Sequence, residues 1–105
     1  MEMSTKNARI PALLLAADAD QAVGHELKLE LDGYSVTTVF SVEDARAHAV
    51  SARPLVVFAA EPRLAQAMVR LAVRERSLAG VPVIALAEGT GRAILVKPAL
   101  HPLAS

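Results

Sequence analysis

VIALAEGTGRAILVKP, residues 83–98, decides how this chain folds. It reads as two apolar strands, 82–87 and 92–97, joined by only four residues, Glu88-Gly89-Thr90-Gly91. A parallel neighbour in the same sheet needs a crossover of about a dozen residues or more, whereas glycine-rich short joins favour an antiparallel hairpin. The last strand is therefore expected either to fold back beside the fourth or to pair with another subunit. Both faces of these strands are apolar, so both require cover.

Upstream the pattern is different. ALLLAA, 12–17, is continuously apolar, as befits a strand buried on both faces. Asp18 or Asp20 can cap a following helix, in which Val23, Leu27 and Leu31 recur every fourth residue as the expected buried stripe. Asp32-Gly33 ends it, and YSVTTVF, 34–40, is β-branched and strand-forming. Ser41-Val-Glu-Asp44 has the form of a capping box opening a second helix to about residue 51. LVVFAA, 55–60, is a third buried strand, and Pro62 suits the first turn of a third helix running to about Leu78. The order β-α-β-α-β-α-β-β predicts a mostly parallel central sheet in a three-layer α/β sandwich. One domain, residues 11–98, is expected between a loose arm, 1–10, and a short tail, 99–105.

The segments ALLLAADAD, LDGYSVTTVFSVEDA, RPLVVFAAEP, VPVIAL and ILVKP, spanning roughly residues 11–98, together resemble the receiver domain of bacterial response regulators, a flavodoxin-like (CheY-like) fold. That family transfers a phosphoryl group to an aspartate at the end of the third strand. An acidic pair after the first strand holds Mg²⁺, a Thr or Ser follows the fourth strand, and a Lys follows the fifth. A carboxylate nucleophile and a hard cation need clustered oxygen anions, and the transferred charge needs cationic and hydroxyl donors. Here the resemblance puts Ala17 and Asp18 at the acidic pair, Ala60 (Ala59 with a one-residue slip) at the acceptor and Ala87 at the hydroxyl position; only Lys97-Pro98 keeps the pattern. Alanine supplies no nucleophile, ligand or hydroxyl. Glu61, the nearest carboxylate to the lost acceptor, is either a standing phosphate mimic or a charge favoured by the helix dipole. If the last strand is antiparallel, Lys97 lies at the far end of the sheet from Ala60 and Ala87. The fourth and fifth helices of the family have no sequence to form them.

Composition narrows the alternatives. Eleven basic and eleven acidic residues cancel, and the aromatics that would stack bases are scarce at 3% of the chain, so nucleic acid is not an expected partner. No cysteine is present, which removes disulfides and thiolate chemistry. No apolar run is long enough to span a membrane, and a cytoplasmic location is expected. His25, His48 and His101 lack ligand spacing, and neither a metal nor a cofactor is expected. Gly89-Thr90-Gly91 precedes a strand, where a dinucleotide cradle would precede a helix. Arg63, Arg70 and Arg74 share one side of the third helix, a solvated row or a docking face for an acidic partner. Glu26, Lys28 and Glu30 read as surface charge.

The expectation is a non-phosphorylatable pseudo-receiver that is not an enzyme. It would be a protein-interaction and dimerisation module in bacterial signalling or transcription regulation, binding an unknown regulatory protein. Its homodimer interface is placed on Val83, Ile84, Leu86, Gly89, Gly91, Ile94, Leu95 and Val96, because uncovered apolar strands mark association surfaces. The alternative is a small-ligand sensor using the mouth at the carboxyl ends of strands one and three, where alanines leave space beside Asp18 and Glu61. Phosphotransfer on a substitute acceptor is a third reading.

Overall fold

The computed structural model describes residues 9–86 and 93–97. Five strands and three helices follow the expected order: β1 (Ile10–Leu15), α1 (Ala19–Leu31), β2 (Tyr34–Val39), α2 (Val42–Ala52), β3 (Val56–Ala59), α3 (Pro62–Arg74), β4 (Val83–Leu86) and β5 (Ala93–Lys97). They form one sheet in the order β2-β1-β3-β4-β5. The β1–β2, β1–β3 and β3–β4 pairs are parallel, and β4–β5 is antiparallel. β5 thus pairs antiparallel with β4 of the same chain.

The central strands β1, β3 and β4 are apolar on both faces because both faces are used. Leu13, Leu15, Val57, Ala59, Val83 and Ala85 meet Ala45 and Ala49 of α2 and Ala65, Met68, Leu71 and Ala72 of α3. The alternate residues Ala12, Leu14, Ala16, Val56, Phe58 and Ala60 meet Ala22 and Leu29 of α1. Tyr34 and Phe58 reach across β1 to make an edge-to-face contact, ring centroids 5.0 Å apart, an arrangement that adds to their burial.

The expected start signals act as such. Asp18 accepts from the Gln21 amide at 2.9 Å, and Ser41 Oγ accepts from the Asp44 amide at 3.1 Å. Gly33, at φ 104°, ends α1 with its amide on the Glu30 carbonyl. α2 ends on Arg53 at φ 50°, a left-handed conformation that costs a side-chain-bearing residue roughly 1–2 kcal/mol.

Several expectations are corrected. Val23, Leu27 and Leu31 are not the buried stripe of α1: they are 60%, 62% and 78% exposed. The row turned to the sheet is Ala22, His25, Glu26 and Leu29, of which only Ala22 and Leu29 are fully buried. Leu14, Phe58 and Tyr34 already fill the space over β1 and β3, so the helix meets the sheet through one alanine and one leucine. Glu26 is not free surface charge, because the Thr38 hydroxyl donates to its carboxylate. The loose arm does not extend to residue 10: Ile10 begins β1, and the Arg9 guanidinium donates to the carbonyls of Glu30 (2.6 Å) and Tyr34 (3.0 Å). α3 stops at Arg74 rather than near Leu78, because Glu75 turns extended and a short 3-10 turn, Arg76–Leu78, follows. Among the described residues, no helix is long and apolar enough to cross a membrane.

Candidate functional site

Parallel doubly wound sheets offer a crevice at the carboxyl ends of adjacent strands whose connections run to opposite faces. In this sheet that point lies between β1, which leads into α1, and β3, which leads into α3 on the other face. The structure brings Ala17, Asp18, Ala60 and Glu61 to that place. Ala60 is fully buried, and its amide donates to the Leu15 carbonyl at 2.9 Å, which fixes the end of β3 beside the end of β1. Its methyl group stands where the resemblance places a phosphoacceptor. Ala59, one residue earlier, is also fully buried and faces the opposite side of the sheet, among the residues packed under α2 and α3.

Asp18 is committed to capping α1. Glu61 is the N-cap residue of α3 through its backbone, but its side chain makes no cap bond. Instead the Gln21 side chain spans the mouth. Its Oε1 accepts from the Ala17 amide at 2.6 Å, and its Nε2 donates to Glu61 Oε2 at 3.2 Å. One amide thus ties the β1–α1 turn to the β3–α3 turn. The arrangement can hold two loops together, but it presents no side-chain nucleophile at Ala60. Among the described residues, no group of three or more His, Asp or Glu side chains is placed to share a metal ion.

Gln21 was not among the expected site residues, yet a signal for it exists. Asp18-x-x-Gln21 has the spacing of a capping box, whose third helical residue reaches back toward the turn it follows. Here the reach is to Ala17 and onward to Glu61, and the second step depends on β3 lying next to β1.

Lys97 is elsewhere. In the β4–β5 ladder its backbone lies opposite Val83, at the amino end of β4, whereas Ala60 follows the carboxyl end of β3. The antiparallel pairing thus places the Lys97 backbone away from the mouth, as the short join requires. Ala87, Gly89 and Gly91 lie outside the described residues, as do the side chains of Ile94 and Lys97.

The strands expected to associate divide between the two faces. Val83 is 1% exposed and sits in the core beneath α3, which removes it from any surface. Val96 packs against the same core. Ile84 and Leu86 are half-buried on the α1 face, and Leu95, paired with Ile84, is 56% exposed. Directly paired residues share a face, so Ile84 and Leu95 form a short apolar strip that α1, lying over β1 and β2, does not cover. Between Val83 and Ile84 the register skips Val96, a bulge in the edge strand. Bulges twist edges away from further strand pairing, so apolar contact on the sheet face is favoured over continuation of the sheet edge.

Cavities of the described chain also lie between α2 and α3, lined by residues other than those of the mouth. They form a groove of about 340–370 Å³ between α2 and α3, lined by Glu43, Arg46, Leu71, Arg74 and Glu75. Arg46 bonds Glu75 across it at 3.3 Å, while Ser77 donates its hydroxyl to Glu75 at 2.9 Å. The Ser77 hydroxyl and amide, and then Arg46, hold the Glu75 carboxyl below its ordinary value. Of the arginine row on α3, Arg74 borders this groove, and Arg63, Arg70 and Arg74 are all exposed. Comparison with protein-family models, with curated proteins and with solved structures found no match to this chain.

Proposed function

We propose that this chain is a receiver-like module that does not accept phosphate and acts by binding: a homodimer that docks a regulatory protein in bacterial signalling or transcription control, in the cytoplasm. The observation that carries the reading is the buried methyl of Ala60 at the switch point of the sheet, with Gln21 and Glu61 joined beside it. A phosphotransfer site needs an oxygen nucleophile where this chain has a hydrocarbon. The strand order β2-β1-β3-β4-β5 is that of flavodoxin-like doubly wound sheets and supports the resemblance.

The binding half of the reading rests on the strip Ile84, Leu86 and Leu95, over which, among the described residues, no helix lies on the α1 face of β4 and β5. A second copy covering it would remove apolar area from water at about 25 cal/mol per Å².

Two measurements test the proposal. Incubation with a small phosphodonor and Mg²⁺, followed by intact mass, is expected to leave the mass unchanged; a stoichiometric phosphoryl adduct would end the reading. Sedimentation of the chain at tens of micromolar is expected to give a dimer, and a folded monomer at that concentration would remove the dimerisation half.

A further inference from the structure

We infer that the outer face of α3 is the docking surface for an acidic amphipathic helix of the regulatory partner. The inference rests on the binding function proposed above and adds the surface that docks and the chemistry of what docks there. Arg63, Arg70 and Arg74 stand seven and then four residues apart, so at about 3.6 residues per turn they fall on one line, roughly 16 Å long. That line is the crest of the helix, because Ala65, Met68 and Ala72 are buried on its other side. All three arginines are exposed, and among the described residues none has a hydrogen-bond or ion-pair partner.

Local stability argues against this placement. α3 contains no acidic residue, whereas α1 and α2 each carry acids in the first turn. Arg63 sets a cation at the positive end of the helix dipole, and Arg70 and Arg74 set like charges one turn apart; only Arg74, in the last turn, suits the dipole. The side-chain cap is missing as well, since Glu61 takes the Gln21 amide and leaves the first amides of α3. Negative charge laid along the crest relieves each of these departures, and departures from local preference gather where a surface is used. The chain itself cannot supply that charge. Its formal total is zero, but the exposed Asp18, Asp20, Glu30 and Asp32 lie at α1, on the opposite face of the sheet.

The flanks of the crest select the kind of anion. Val73, 80% exposed, borders it on one side, and on the other lies the groove between α2 and α3, where Leu71 and Arg74 meet. Glu43 and Glu75 also line that groove, and Glu75 is already held by Arg46 and Ser77. A carboxylate is therefore favoured over the crest and an apolar side chain over Leu71. An amphipathic helix with one acidic and one apolar side offers both together. A phosphate backbone offers charge alone and meets Glu43 beside it.

Fluorescence anisotropy with the full chain, and circular dichroism as the control for folding, tests this. The probe is a labelled alanine-rich helical peptide with glutamates spaced as the three arginines are and leucines along one flank. A scrambled peptide of the same composition, a single-stranded oligonucleotide and phosphatidylglycerol vesicles are the comparisons. The patterned peptide is expected to bind more tightly than the scrambled one. Arg70→Glu is expected to weaken it about tenfold, and Lys28→Glu, on the opposite face, to leave it unchanged. Arg63→Glu is expected to raise the melting temperature of the free chain, since it puts an acid in the first turn of α3, and yet to weaken the peptide. A merely solvated row does not produce those opposite signs. Equal binding of the two peptides, or binding of neither by the folded chain, overturns the α3 surface; the dimer and the absence of phosphoryl uptake, measured separately, then still stand. Tighter binding of the oligonucleotide or the vesicles, lost in Arg70→Glu, overturns the acidic helix as the occupant. Oligomers larger than a dimer that Arg70→Glu dissolves make α1 of a second copy the occupant and overturn the regulatory partner.

Discussion

The two faces of the sheet are built from the same strands but finished differently. On one, α2 and α3 lie side by side and bury Leu13, Leu15, Val57, Met68, Leu78 and Val83 almost completely. On the other, α1 alone covers β1 and β2, with Ala22 and Leu29 as its only fully buried residues. That face ends in Ile84 and Leu86, half-buried, and Leu95, exposed. Alternating residues of β1, β3 and β4 are apolar on both sides, so along these strands the sequence treats the faces alike. Only the number of helices available distinguishes them. The join between β4 and β5 is too short to hold a helix, and among the described residues none lies over Leu95 on the second face.

Truncation on the two faces gives the largest expected contrast. Met68→Ala, at a position with no exposure, is expected to lower stability by about 2–5 kcal/mol in urea unfolding, independently of protein concentration. Ile84→Ala, on the one-helix face, is expected to cost only about 1 kcal/mol in dilute solution. Its cost should grow as the concentration rises, because it then includes any contact made by a second copy. Equal, concentration-independent costs at the two sites would mean that the second face is as closed as the first.

The same difference explains what could be read in advance. The elements were legible because each carries a local signal: Asp18 and Ser41 as caps, Gly33 as a stop, and uninterrupted apolar runs as strands. That the last two strands are not parallel neighbours within the chain was legible because a four-residue join forbids it, while a hairpin and an exchange between subunits both stayed open. The phase of α1 was not. Val23, Leu27 and Leu31 make the larger apolar row, but which row meets the sheet depends on what already stands there, and the Tyr34–Phe58 contact is between residues 24 positions apart. The Gln21 bridge escaped for the same reason: half of it is local to α1, and the other half exists only once β3 is beside β1. The break at Glu75 depends on Ser77 and on Arg46 from α2, neither of which periodicity reports.

Caps give a smaller contrast. Asp18→Ala and Ser41→Ala each remove one side-chain acceptor from a helix start, a loss of about 1 kcal/mol. α2 packs on α3 as well as on the sheet, whereas α1 packs on the sheet with one side-chain bond, Gln21 to Glu61, to the start of α3, so Asp18→Ala is expected to increase hydrogen exchange throughout α1 while Ser41→Ala frays only the first turn of α2. Matching local fraying in both would show that one helix on a face is anchored as firmly as two.

The smallest effect belongs to Glu75, which stands beside Arg46 at the seam of α2 and α3. Its carboxyl titrates lower in the folded chain than in the unfolded one, first because Ser77 donates to it and then because Arg46 is near. The stabilisation this supplies is full above the ordinary carboxylate range and is lost as pH falls through the depressed folded value. Arg46 is largely exposed, and solvent screens the pair, so the contribution is small. Ser77→Ala is expected to move the Glu75 titration, followed by NMR, up toward its ordinary value and to flatten the acid limb of the stability curve. Arg46→Ala is expected to move it less, in keeping with the order of causes. If Arg46→Ala gave the larger shift, the ion pair between the helices, not the local serine turn, would be what organises the end of α3, and the seam of the two-helix face would depend on charge as well as on packing.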